Sequence, residues 1–221
     1  MTDGRFRIDL DDGRTVTAVR TLPDVRAGWT FVYAPGAGSN IDDAFGVYAS
    51  RQLAGRGVAT VRFQFPYMEV GRRAPDRPAV LEATWRAVIE AVSGDAGRLV
   101  VGGRSMGGRI ASQVVAAGER ADGLVFFGYP LHPPGQFEKL REAHLPKIEA
   151  PMLFVQGTRD GFAREDLLDS LIERLTPRAE LHRVERADHA FGVLKRSGRT
   201  PAEVLAEVTA VLLRWLLAHG L

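Results

Sequence analysis

The sequence predicts an α/β protein whose central sheet is mostly parallel and carries helices on both faces. Two observations support this prediction. Short apolar segments alternate along the chain with longer segments that repeat apolar residues at helical spacing. Several of the short segments, such as 99–101 and 123–128, are apolar throughout. Strands have this character when helices cover both faces of a parallel sheet.

The first half of the chain opens with a β-hairpin. Segments 5–10 and 15–20 alternate polar and apolar residues around the turn signal Asp11-Asp12-Gly13. An apolar strand at 29–34 ends in a glycine-rich loop, and a helix with Asp42 or Asn40 as its cap follows. The elements expected from there to residue 117 are a helix at 42–54, a strand at 58–63, a helix at 76–93, a strand at 98–102 and a helix at 106–117.

The second half continues the alternation around one irregular segment, 130–150, which is rich in proline and charge. A short helix is expected inside it at 137–142. The other elements are strands at 123–128, 151–156 and 180–184 and helices at 164–174 and 201–217. Because there is no repeat and no linker, one domain over 1–221 is expected. Segment 130–150 is too short to form a large cap.

Composition excludes several classes of protein. With 221 residues, 45% of them hydrophobic and 25% charged, the chain is typical of globular proteins. A net charge of +2 does not indicate a nucleic-acid partner. The absence of cysteine excludes disulfides, thiolate metal sites and a cysteine nucleophile. The first residues lack the apolar core of a signal peptide, and the longest apolar stretch, 208–218, is too short to span a membrane. We therefore expect a soluble, cytoplasmic protein.

Ser105 is the candidate nucleophile. Residues 103–107 read Gly-Arg-Ser-Met-Gly, which matches the pattern G-x-S-x-G, and they lie between an expected strand and an expected helix. A strand, a sharp turn and a helix form the setting in which this pattern carries a reactive serine. Side chains in place of Gly103 and Gly107 would collide in such a turn. The helix N-terminus favours developing negative charge. The alternative is a plain turn in which Ser105 caps the helix.

A serine hydroxyl needs a base to take its proton, and His189 is the candidate. It lies in the loop between the last strand and the final helix, at the same sheet edge as Ser105. The four other histidines have structural explanations. His182 lies in a strand, His219 caps a helix end, and His132 and His144 are solvated in the irregular segment, with pocket lining as the alternative for His132.

The base in turn needs an acid to fix its tautomer, and Asp160 is the candidate because it follows the apolar strand 152–155. The other carboxylates are less suitable: Asp188 is a sequence neighbour of the histidine, Asp122 lies at the wrong sheet edge, and Asp166 and Asp169 fit the first turns of a surface helix.

Two backbone amides are expected to hold the oxyanion. One is that of Met106, the residue after the nucleophile. The second is that of Ala37, with Gly38 as the runner-up, because the small residues of 35–38 let the backbone approach a substrate. The alternative is a simple glycine turn. A phosphate-binding loop is excluded because its lysine and spacing are absent.

Loop residues at the same edge are candidate walls of a substrate pocket, although side chains of this kind are as often plain core. They are Tyr67, Met68, Leu131, Phe162 and Phe191. Arg72 and Arg73 lie in a loop interrupted by an acid and a proline. We interpret this loop as solvated, with contact to a substrate carboxylate or phosphate as the alternative.

The motifs at 33–38, 63–67, 102–109, 128–134, 156–160 and 188–191 together resemble those of the small, lidless α/β-hydrolases related to dienelactone hydrolases and their testis-expressed-type relatives. The resemblance covers nearly the whole chain. It implies the α/β-hydrolase fold and the order nucleophile, acid, histidine on Ser105, Asp160 and His189. Dienelactone hydrolase itself uses a cysteine, which this chain lacks. Pro35 stands where many members have histidine.

The leading hypothesis for function is hydrolysis of a carboxylic ester through an acyl-enzyme. The same triad would serve a thioesterase, a peptidase or an acyltransferase, and a binding or scaffold protein on the same fold is the third hypothesis. We expect no cofactor and no metal. The partner is a small acyl molecule, with neither nucleic acid nor membrane. We expect a monomer or a homodimer. Packing on the sheet explains the apolar face of the final helix, with a dimer interface as the less favoured alternative.

Overall fold

Eight strands form one sheet in the computed structural model, which describes residues 1–26 and 28–220. Residues 27 and 221, which the single-domain prediction also covers, lie outside the described residues. The strands are β1 (Thr2–Asp9), β2 (Thr15–Leu22), β3 (Trp29–Ala34), β4 (Ala59–Phe63), β5 (Arg98–Arg104), β6 (Gly123–Phe127), β7 (Met152–Gly157) and β8 (Ala179–Val184).

The helices occupy the connections between the strands. They are α1 (Ala44–Ala54), α2 (Pro66–Glu69), α3 (Pro78–Ser93), α4 (Met106–Ala116), α5 (Glu165–Leu175) and α6 (Pro201–Ala218), with 3₁₀ turns at Leu145–Lys147 and Lys195–Ser197. None of the helices that the structure describes has the length and apolar character needed to cross a membrane.

The strand order is β1-β2-β4-β3-β5-β6-β7-β8. β2 runs antiparallel to β1 and to β4, whereas every pairing from β4 to β8 is parallel. The prediction of a mostly parallel central sheet is therefore confirmed. The carboxyl ends of β3, β5, β6, β7 and β8 meet at one edge, where parallel α/β sheets place their binding sites.

Two hydrophobic cores flank the sheet because successive side chains of a strand point to opposite faces. Val101 belongs to the core that contains the buried Trp85 of α3, and Val100 belongs to the core that contains Trp215 of α6. Position 123 requires glycine, because a Cβ there would lie 2.7 Å from the Trp215 ring. Helices thus cover both faces, as the uniformly apolar strands indicate.

The structure differs from the sequence prediction in three local features. The cap of α1 is Asp43, whose carboxylate accepts from the amide of Gly46, and not Asp42 or Asn40. The short α2 was not predicted, since it is only one turn long. Segment 137–142 contains turns rather than a helix.

Candidate active site

Ser105 occupies the turn between β5 and α4. Its backbone has φ 47° and ψ −116°, a conformation that L-residues rarely adopt. A Cβ on Gly103 would lie 2.1 Å from the carbonyl oxygen of Ala34, and a Cβ on Gly107 would lie 2.4 Å from the same atom. Because both residues are glycine, the end of β3 can pack directly against the turn. This close approach brings the loop after β3 beside the serine.

The hydroxyl of Ser105 does not cap the helix, although the residue holds the N-cap position of α4. Its Oγ lies 2.8 Å from Nε2 of His189. The interpretation of Ser105 as a simple capping residue is therefore not supported. The hydroxyl is paired with a group that can accept its proton.

His189 follows β8, in the loop before α6. Its Nδ1 lies 2.7 Å from Oδ2 of Asp160. The ring stacks obliquely on Phe162 with the centroids 4.3 Å apart. A Cβ on Gly128, which has φ +69°, would lie 3.0 Å from the carbonyl oxygen of His189. When Nδ1 carries the proton toward the carboxylate, Nε2 presents its lone pair to Ser105.

Asp160 is fixed by hydrogen bonds on both carboxylate oxygens, and its side chain is fully buried. Oδ1 accepts from the amide of Phe162 at 2.7 Å. Oδ2 accepts from Nε2 of Gln156, whose own Oε1 accepts from the amide of Tyr129 at 2.8 Å. Gln156 is a residue of the site that was not predicted from the sequence. Its place four residues before the acid, as a polar side chain in an apolar strand, was the available signal.

The alternative carboxylates are engaged elsewhere. Asp122 accepts from the amide of Leu99 at the opposite sheet edge. Asp188 accepts from amides of its own loop, and Asp166 and Asp169 pair with surface arginines.

Two of the other histidines have the expected structural contacts: His182 bonds Glu207, and His219 bonds the carbonyl of Trp215.

His132 and His144 are not solvated, contrary to the sequence prediction. His132 is fully buried, and its Nε2 accepts from the amide of Arg164 at 2.9 Å. Nε2 of His144 lies 2.7 Å from Oγ of Ser112 on α4. Burial lowers the pKa of His144 to about 4. Both rings tie segment 130–150 to the rest of the fold, which explains how so irregular a segment is ordered.

The two amides expected to form the oxyanion hole both belong to residues that line a cleft beside Ser105. Among the residues that the structure describes, neither the amide of Met106 nor that of Ala37 donates to a protein group. The amide of Gly38, the runner-up, donates instead to the hydroxyl of Tyr67 at 3.2 Å. Ala37 is therefore the better placed second donor.

The cleft has a volume of about 500 Å³. Its lining consists of Gly36, Ala37, Ser39, Arg104, Ser105, Met106, Arg109, Pro130, Arg141, Phe162 and His189. Phe162 is the one predicted pocket residue among them. The three arginines were not predicted as part of the site. Arg104 and Arg109 lie beside the nucleophile in sequence, which was the available signal for two of them.

The other four predicted pocket residues lie outside this lining. Tyr67 and Leu131 are fully buried, Met68 packs against the same core as both, and Phe191 is buried against Phe45. Their apolar surface is used in packing, which was the alternative interpretation.

Arg72 and Arg73 also lie outside the lining. Arg72 pairs with Asp76 at 2.5 Å.

Segment 130–150 forms one wall of the cleft and does not extend into a cap. Its backbone closes on itself, because the amide of Arg141 donates to the carbonyl of Leu131 at 2.8 Å. The hydroxyl of Tyr129 donates to the carbonyl of Arg141 at 2.6 Å. Within 1–26 and 28–220, no three His, Asp or Glu side chains are grouped closely enough to hold a metal ion.

Comparison with known proteins finds one matching family. Residues 27–217 match the family described as "Alpha/beta hydrolase domain". Solved structures with a similar fold include an α/β serine hydrolase homologue from Coxiella burnetii, with TM-score 0.77 and 20% identity over 98% of each chain.

Two further structures are similar. A serine hydrolase without a lid from Xanthomonas campestris has TM-score 0.72 and 20% identity, covering 97% of this chain and 95% of its own. A dienelactone hydrolase from Anabaena variabilis has TM-score 0.76 and 18% identity, covering 98% of this chain and 97% of its own.

Proposed function

The chain belongs to the alpha/beta hydrolase domain family, and we propose that it hydrolyses carboxylic esters through an acyl-enzyme on Ser105. The observation that carries this proposal is the continuous series of contacts from Asp160 through His189 to the serine hydroxyl, at 2.7 and 2.8 Å. A series of this kind turns a weak nucleophile into a reactive one.

In the first half of the reaction, Nε2 of His189 takes the proton of the Ser105 hydroxyl while Oγ attacks the ester carbonyl carbon. The carbonyl oxygen becomes an oxyanion, which the amides of Met106 and Ala37 stabilise. Asp160 stabilises the imidazolium that forms. The imidazolium then gives its proton to the leaving alkoxide, the carbon–oxygen bond breaks, and an acyl-serine ester remains.

In the second half, a water molecule takes the place of the alcohol. His189 accepts a proton from the water as the hydroxide adds to the acyl carbon, and the same two amides stabilise the second oxyanion. Collapse of this intermediate returns the proton to Oγ of Ser105 and releases the carboxylic acid. His189 accepts or donates the proton in each of these transfers.

Labelling with a fluorophosphonate probe tests the proposal. The wild-type chain is expected to incorporate the probe on Ser105 and to hydrolyse p-nitrophenyl esters. Ser105→Ala is expected to lose labelling and to lose roughly four to six orders of magnitude in turnover. Ser93→Ala is the matched control, because its hydroxyl bonds the carbonyl of Ile89 within α3. Folded wild-type protein that takes no label would favour the scaffold hypothesis.

The proposal also covers the substrate, the cellular location and the oligomeric state of the chain. We propose that the substrate is a small acyl molecule and that the chain is a monomer or a homodimer. We also propose a cytoplasmic location, which agrees with the absence of cysteine. Parallel assays with acyl-CoA thioesters and aminoacyl amides rank the other reactions that this site supports.

A further inference from the structure

The cleft beside Ser105 is positively charged. Its described lining contains three arginines, Arg104, Arg109 and Arg141, and neither aspartate nor glutamate. A cleft lined by one sign of charge concentrates ligands of the opposite sign. The three cations differ, however, in how far the protein already neutralises them.

Arg104 is neutralised. Its Nη1 lies 3.3 Å from Oδ1 of Asp43, and the Asp43 carboxylate also accepts from the hydroxyl of Tyr33 at 2.6 Å. This network fixes the arginine against the start of α1. Its charge is therefore already balanced by a carboxylate of the protein.

Arg109 and Arg141 have no such partner. Among the described residues, neither has a carboxylate within 4.0 Å. Glu82, whose charge acts on Arg109, and Glu142, the sequence neighbour of Arg141, are paired with other cations. Glu82 pairs with Arg86, and Glu142 pairs with Arg174.

The Arg109 side chain is half-buried, and its Nε is enclosed without a hydrogen-bond acceptor among the described residues. Its Nη1 reaches only the neutral Oε1 of Gln113, at 3.3 Å. Burial lowers the pKa of Arg109, and the charge of Arg141 lowers it further. Both arginines line the same cleft, so an anion bound there would be attracted by two positive charges.

The position of Arg109 relative to the nucleophile limits the size of such an anion. The amide of Arg109 donates to the carbonyl of Ser105 at 3.1 Å, which places the arginine in the first turn of α4, directly after the nucleophile turn. Both residues line the same cleft, which has a volume of about 500 Å³. An ester carbonyl attacked by Ser105 and an anionic group bound by Arg109 must both fit within this cleft, which favours a short acyl chain.

We propose that Arg109 and Arg141 bind a carboxylate at the far end of the acyl chain, so that monoesters of short dicarboxylic acids are the preferred substrates. This inference rests on the proposed esterase function of Ser105. Arginine suits the role because its planar donors match the two oxygens of a carboxylate.

Three methyl esters of similar length test the inference: monomethyl adipate, methyl hexanoate and methyl 6-aminohexanoate, which are anionic, neutral and cationic. The expected order of kcat/KM is anionic, neutral, cationic, with at least about tenfold between the first two, since hydrogen bonds to charged groups are among the stronger ones. Arg109→Gln and Arg141→Gln are each expected to reduce the anionic-to-neutral ratio by about tenfold.

Arg120→Gln is the matched control, because Arg120 donates to the carbonyl of Gly97 at the opposite edge of the sheet. It is expected to keep the wild-type ratio. Equal kcat/KM for the anionic and neutral esters would overturn the inference, as would a ratio that survives the double substitution of Arg109 and Arg141.

Fluorophosphonate labelling separates the failure of this inference from the failure of the proposed function. If Ser105 is labelled and none of the three esters is hydrolysed, their protection of Ser105 against the probe gives the ranking instead. Protection by monomethyl adipate that is no stronger than that by methyl hexanoate contradicts the inference. If folded protein takes no label, the proposed function fails and the inference fails with it.

Discussion

Asp160 and His189 are joined by a 2.7 Å contact between Oδ2 and Nδ1. The carboxylate is fully buried, whereas the imidazole keeps about a fifth of its surface exposed, at 22%. The acid is thus part of the protein interior, and the base lies at the boundary between the interior and the cleft. This arrangement fixes the orientation of the ring without enclosing its reactive nitrogen.

Asp160→Asn is expected to lower kcat by roughly 10³–10⁴-fold, because the amide no longer fixes the tautomer that presents a free Nε2 to Ser105. Ester hydrolysis measured at saturating substrate, with circular dichroism to verify folding, checks this. Asp166→Asn is the control, since that carboxylate pairs with Arg164 on the surface. Wild-type turnover by Asp160→Asn would remove this residue from the mechanism.

Tyr67→Phe is expected to reduce kcat by about tenfold with little change in KM. The hydroxyl accepts from the amide of Gly38 and so fixes the loop that contains Ala37. Its loss is expected to make the position of the Ala37 amide less well defined, and this amide acts mainly on the oxyanion of the transition state. Tyr48→Phe is the control, because its half-buried hydroxyl bonds no protein group that the structure describes. A change confined to KM would instead indicate a role in substrate binding.

Gly107→Ala is expected to destabilise the protein by about 1–3 kcal/mol, as overpacking of a tight contact does. Its Cβ would lie 2.4 Å from the Ala34 carbonyl oxygen. Gly94→Ala is the matched control. No atom lies within 4 Å of a Cβ there, and its φ is −62°, so stability is expected to stay constant or to rise slightly. Urea unfolding measures both. Equal midpoints for the two variants would contradict the close approach of β3 to the turn.

The stability that His144 contributes is expected to depend on pH. Its folded-state pKa is lowered from 6.5 to about 4, so the unfolded chain binds more protons between these values. The contribution is complete above about pH 6.5 and is lost as the pH falls toward 4. The difference in unfolding free energy between wild type and His144→Gln is therefore expected to shrink over this interval.

Urea titrations at pH 7, 5.5 and 4.5 measure this difference. His182→Gln is the control, because that ring bonds the carboxylate of Glu207, whereas the His144 ring bonds the hydroxyl of Ser112. A constant difference between wild type and His144→Gln across the three pH values would show that the burial of His144 does not control this part of the acid response.

The alternation of strands and helices along the chain and the place of Ser105 follow from local patterns. Uniformly apolar strands, the glycines at 103 and 107 and the loops after β7 and β8 are all visible in consecutive residues. Because parallel strands end at one edge of the sheet, the sequence also predicts that Asp160 and His189 lie near the serine. Their contacts at 2.7 and 2.8 Å agree with that placement.

What the sequence does not reveal depends on packing between distant segments. Gln156 supports the acid only because Tyr129, 27 residues away, supplies an amide to hold it. Tyr67 is buried in α2 and its hydroxyl accepts from the amide of Gly38, and a helix of four residues leaves no periodic signal in the sequence. His132 is buried and His144 is half-buried, in a segment whose composition indicates exposure. Segment 130–150 folds back on itself by backbone hydrogen bonds that composition does not encode.

The position of β8 at the edge of the sheet determines which part of the site unfolds first in denaturant. β8 has a single neighbour, β7, and the four residues between its buried ends are partly or fully exposed, whereas β5 lies between two strands in the middle of the sheet. Edge elements open at lower free energy than central ones, and amide hydrogen exchange reports the difference. Mild denaturant would therefore detach the histidine loop while the serine turn stays folded, and the loss of catalysis would precede the loss of the sheet.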